Sequence, residues 1–127
     1  MGKPMHRIIL RITALVAIII GLLALITGTR VLLGLFDPGY NTFSLLIIYN
    51  VLMGLVSLFA GYHIWKGYTV AQKISAAILT GHIIVLGLLL TQFNDIIAIQ
   101  SIQVMTFRVV VWSAIFITIY KVFTLKN

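Results

Sequence analysis

The sequence predicts an all-α integral membrane protein: a four-helix transmembrane bundle, threaded up-down-up-down, with both termini in the cytoplasm. Three observations predict it. Of 127 residues, 61% are hydrophobic and only 9% charged, too few to build a surface that faces water. The apolar residues gather into four runs, each long enough to supply the about 20 helical residues that cross a bilayer core. The cations punctuate those runs instead of forming a patch, so the net charge of +7 reads as membrane topology and not as nucleic-acid binding. The length suits a single four-span domain over residues 1–127.

The opening "MGKPMHRIILR" imitates a signal peptide, but no A-x-A cleavage site follows it, so an uncleaved first span is expected. Position six also lacks the Ser or Thr of a myristoylation signal. The first span runs from about Ile8 to Phe36 and stops at the turn signal "DPG". The second covers about Thr42 to Trp65, and the short link "KGYT" makes the third, about Val70 to Gln92, its antiparallel neighbour. Asn94 can cap an amphipathic stretch over 94–103, read as an interfacial helix ahead of the fourth span at about Val104 to Phe123. Lys3, Arg7, Arg11, Lys66, Lys73, Lys121 and Lys126 then share one side. Arg30 and Arg108 fall toward the other, with Asp37 and Asp95. The positive-inside rule makes the crowded side cytoplasmic, in a plasma or inner membrane. Tyr62, Trp65 and Tyr68 mark that interface, and Tyr40 the outer one.

Small residues recur at helical spacing. Ala14, Ala17, Gly21, Ala24 and Gly28 form a seam on the first span, and Asn50, Gly54, Ser57 and Gly61 one on the second. Ala76, Thr80, Gly87 and Thr91 suggest a third, and Thr106, Ser113 and Tyr120 a fourth. Helices in lipid associate through such close packing, although small residues are also simply common in membrane helices. Arg30, His82 and Arg108 project roughly opposite their seams, whereas Asn50 lies on its own. From a 1.5 Å rise, Arg30 sits about 9 Å inside the outer helix end, and Asn50, His82 and Arg108 about 10–15 Å below that surface. Two arrangements satisfy this pattern. Either the seams face inward and Arg30, His82 and Arg108 face a partner or lipid headgroups, or the polar residues converge inside and the seams join neighbouring copies. Snorkelling of the arginines toward Asp37, Asp95 or phosphate is the bland account of both guanidinium groups.

Chemistry is scarce. The absence of cysteine excludes disulfides, thiolate metal sites and cysteine nucleophiles. His6, His63 and His82 lie in the tail, at the cytoplasmic helix end and in the outer half. The latter two differ in level by roughly 12–15 Å, too far to clamp one haem. His82 reads first as a hydrogen-bonded structural residue. No Asp, Glu or Lys lies deep in a span, which disfavours proton-coupled pumps, retinal proteins and small multidrug exporters. Arg30 and "YNVLMGL" around Asn50 resemble the small four-span fluoride channels over about a third of the chain, through an unspecific motif. The third span lacks the Thr-Phe-rich break that lines those pores, and their opposed assembly conflicts with the charge bias here, so membership is not assigned.

The expected function is that of a small non-catalytic accessory or assembly subunit, docked on a larger membrane complex through Arg30, Asn50, His82 and Arg108. The rival expectation is a small-anion channel, or a quinone- or lipid-binding protein, using the same four residues as one inward site. The expected partner is another membrane protein or a further copy of the chain, a functional homo-oligomer alone speaking against docking; an enzyme comes third, and no residue pattern names a cofactor or a metal.

Overall fold

In hydrocarbon the backbone must satisfy its own hydrogen bonds, and a helix does so within a single segment. The computed structural model describes residues 3–34, 44–91 and 99–126. They form α1 (Lys3–Leu32), α2 (Ser44–Lys66), α3 (Val70–Thr91) and α4 (Ile99–Lys126). All four are long and apolar enough to cross a membrane. Asp37, Tyr40, Asp95, the "DPG" turn and the first half of the expected interfacial helix lie outside the described residues. The remainder of that stretch, from Ile99, is continuous with α4. It does not form a separate surface helix because Ile102 packs with the core. Similarly, α1 begins at Lys3, so His6 is helical rather than part of a tail.

Two helix ends depend on glycine. After α2, Gly67 takes a φ of 76°, a left-handed conformation that other residues adopt only at a cost. Its N–H donates to Ile64 O and that of Tyr68 to His63 O, both at 3.0 Å. This pair of bonds caps the carbonyls that a helix end leaves open. Gly34, with a φ of 75°, closes α1 through a bond from its N–H to Val31 O.

The most extensive contact joins α1 to α2, followed by α3 to α4; the surfaces between these two pairs are thinner. Small residues explain the first. A Cβ added at Gly21 would lie 2.8 Å from Gly54 O, and one at Gly54 would lie 2.8 Å from Gly21 O. The two backbones therefore touch, which only glycine allows. Gly28 meets Val51, and Gly61 meets Ile18, with equally little room. Ala14, Ala17 and Ala24 continue the buried face of α1, and Ser57, whose hydroxyl donates to Met53 O at 2.7 Å, that of α2.

On α3 and α4 the packed faces differ from the small-residue stripes. The buried residues of α3 are Ala71, Ser75, Ile78, His82 and Leu89. Thr80 and Gly87 are exposed and Ala76 only half-buried. On α4 the packed line is Met105, Trp112 and Ile119, one residue, or about 100°, away from Thr106, Ser113 and Tyr120. The reason is that a threonine hydroxyl can bond back to its own helix and then face lipid without penalty. Thr91, Thr106 and Thr118 do this, donating to the carbonyls of Gly87, Ile102 and Ala114. His82 instead bonds across to Tyr49 of α2, which turns that side of α3 inward.

Two apolar clusters result. The larger, with Ala60, Ile64, Ile78, Trp112 and Ile119, fills the half of the bundle nearer Lys66. The smaller comprises Leu46, Leu89 and Met105 near the other end. Replacing Gly21 with Val should destabilise the protein by about 1–3 kcal/mol through overpacking against Gly54. Gly87→Ala, where nothing lies within 4 Å, should change stability by no more than about 0.5 kcal/mol. Unfolding in mixed micelles measures both.

Candidate functional site

Between the two apolar clusters lies a polar layer drawn from three helices. Consecutive residues on a helix point about 100° apart, so α2 can offer Tyr49 to α3 and Asn50 to α4. Arg108 of α4 donates from Nη1 to Asn50 Oδ1. Tyr49 Oη and His82 Nδ1 lie 2.9 Å apart; with the hydroxyl as donor, the ring proton sits on Nε2. The rings meet edge to face, with centroids 5.8 Å apart. Gly81 makes room for this contact, since a Cβ there would press on the Tyr49 hydroxyl at 3.3 Å. A void of about 10 Å³, bordered by Asn50, Ser57, His82 and Arg108, joins the two hydrogen-bonded pairs and has room for one water at most.

The layer opens on one side. A cavity of about 290 Å³ lies between α1, α2 and α4, with Asn50 and Arg108 among its lining residues. Thr27, Gly28, Met105 and Phe107 contribute to its otherwise mostly apolar walls. That size is near the lower end for small-molecule sites, which run from about 300 to 1,000 Å³. Its position follows from the packing. Gly21, Gly28 and Gly54 pull α1 onto α2, and α1 meets α4 only sparsely, leaving a cleft that faces the lipid. Gly28 leaves its wall shallow, and Arg108 supplies charge at its floor.

Of the four residues singled out from the sequence, Asn50, His82 and Arg108 come together. Arg30 does not join them. It is exposed in the last turn of α1 and lines no part of the cavity; a cation there complements the negative end of the helix dipole. The observed arrangement is neither of the two alternatives in full. The α1 and α2 seams face inward, and so do His82 and the half-buried Arg108. The two helix pairs meet through different faces, so both conditions hold at once.

Tyr49 escaped notice in the sequence. A phenol deep in an apolar span needs a partner, and His82 is at a matching depth in the neighbouring helix, so the signal was present. The other histidines stand apart. His63 Nδ1 donates to Phe59 O at 2.8 Å, and its ring lies among those of Phe59, Tyr62 and Tyr68. Among the described residues no group of three His, Cys, Asp or Glu side chains is placed to hold a metal.

The chain matches no family model, and no curated protein or solved structure matches it significantly. The site therefore has to be read from its own geometry.

The Asn50–Arg108 bond should be measurable as a coupling. In a double-mutant cycle with Asn50→Ala and Arg108→Met, unfolding in micelles should yield about 0.5–2 kcal/mol of interaction energy, the range found for polar pairs between membrane helices. Additive effects would mean that the two side chains do not meet in the folded protein.

Proposed function

We propose that this chain is a non-catalytic membrane protein that binds a lipid-like molecule with a hydrogen-bond-accepting head, such as a quinone or an acidic lipid. The single observation that carries this reading is the cavity between α1, α2 and α4, apolar along its walls and floored by Arg108 and Asn50. An apolar tail suits the walls, and a carbonyl or carboxylate suits a guanidinium already oriented by an amide. Small-anion passage has less support. The polar layer lies between two apolar clusters of buried residues, one around Ile78 and Trp112 and another of Leu46, Leu89 and Met105, neither of which offers an ion a polar path. Docking on a larger complex retains only Arg30 among the outward arginines it called for, because Arg108 turns into the bundle.

In this reading the chain is a single multi-pass domain of an inner or plasma membrane, threaded up-down-up-down. The pairings Gly28–Val51, Gly21–Gly54 and Gly61–Ile18 support opposed directions for α1 and α2. The basic residues at the Lys66 end assign both termini to the cytoplasm. The binding cleft then opens in the outer leaflet.

Native mass spectrometry of the protein extracted from its own membrane tests the proposal. The expected result is one small lipid-like molecule per chain, lost in Arg108→Met and retained in Arg30→Ala. A chain that keeps no small molecule, or that carries a stoichiometric protein partner released by Arg30→Ala, would overturn it in favour of docking.

A further inference from the structure

A second cavity lies at the other end of the bundle, and the lipid-like ligand does not account for it. It measures about 630 Å³ and is bordered by His6, Arg7 and Arg11 of α1, and by Trp65, Lys66 and Gly67 at the end of α2. Three permanent cations on one small concavity repel one another unless an anion joins them. Arg11 is held at the wall, with its guanidinium carbon 4.7 Å from the centre of the Trp65 ring, a stacking geometry that fixes its direction. Lys66 lies over Tyr62, its ammonium 6.0 Å from the ring centre. Among the described residues, both lie over aromatic rings.

His6 gives the independent sign that this is more than a basic surface. It is 6% exposed and is one of the residues that border the cavity. Both ring nitrogens are out of water and make no hydrogen bond among the described residues. A buried imidazole without partners costs the full desolvation of its polar atoms. An oxyanion in the cavity would meet the guanidinium groups of Arg7 and Arg11, and a turn of the His6 ring that brought an N–H to it would remove that cost. Phosphate has the required charge and several acceptor oxygens, and basic pockets between membrane helices suit phosphate-bearing headgroups.

We infer that His6, Arg7, Arg11 and Lys66 form a binding site for a phosphate group. A lipid headgroup and a free phosphate present the same chemistry, and the experiment separates them. The full chain is held in phosphate-free maltoside micelles, and phosphatidic acid is titrated in while native mass spectrometry counts the bound lipid. Inorganic phosphate is then added as a competitor, with Trp65 emission as a second readout.

The expected result is saturable binding of one phosphate group per chain, with affinity about tenfold weaker in Arg11→Gln and in His6→Phe, a factor of ten being one logarithmic step in Kd. Lys73→Gln, an exposed cation of α3 away from the cavity, should leave the affinity unchanged. Displacement by inorganic phosphate would identify a free phosphate as the ligand, and resistance to it a headgroup; each supports the site. Non-saturable binding, or equal weakening by Lys73→Gln and Arg11→Gln with no effect of His6→Phe, would overturn it. Should His6→Phe fail to fold, Arg7→Gln at the exposed rim takes its place and is expected to weaken binding likewise.

Discussion

A guanidinium deep in a membrane helix must either reach water or find acceptors within the protein, and Arg108 finds Asn50. The bond crosses the place where the bundle is held least firmly. α1 and α2 grip each other through touching backbones, and α3 and α4 form the second close pair. Between the pairs, apolar contact gains little, because lipid tails offer much the same surroundings. The hydrogen bonds from α2 to α4 and from α2 to α3 are what a lipid neighbour cannot replace. Asn50–Arg108 and Tyr49–His82 thereby fix the register and rotation of one pair against the other.

The same arrangement creates the cleft. Drawing α1 onto α2 through Gly21, Gly28 and Gly54 leaves α1 with little purchase on α4. The cavity along that line has Arg108 among its lining residues. A stricter packing of α1 on α4 would shield the arginine better and close the cavity. The bundle instead keeps a charged donor, oriented by an amide, at the floor of an apolar groove, which is the arrangement a selective binding site needs. On the proposed function and the inferred phosphate site, the two ends of the bundle would divide the labour: acceptor-headed apolar molecules at the Arg108 level, phosphate among the cations near Lys66.

Much of this was legible from residue order. Four apolar runs, the glycines of α1 and α2, and the shared depth of Asn50, His82 and Arg108 all stand in the sequence. The rotation of α3 and α4 did not, because two cues competed. Ala76, Thr80 and Gly87 mark a small-residue stripe, while Ser75 and His82 mark a polar one on another face. In α4 the stripe at Thr106 and Ser113 lies beside the packed line at Met105 and Trp112. Small residues announce an interface only when no buried polar group requires a different face, and threonine is a weak marker because it can satisfy itself. Arg30 and Arg108 looked alike by sequence for a related reason: only the packing shows that Arg108 meets Asn50 of another helix, while Arg30 stands exposed in the last turn of α1.

The central claim is that Arg108 is satisfied inside the protein by Asn50. Magnetic-resonance distance measurement in lipid bilayers tests it most directly, with ¹⁵N in the arginine guanidinium groups and ¹³C in the asparagine side-chain amides. The account predicts a short-range dipolar contact between an arginine Nη and an asparagine Cγ that vanishes in Asn50→Leu. A guanidinium at position 108 that instead couples to lipid phosphorus, with no Asn50-dependent contact, would contradict it.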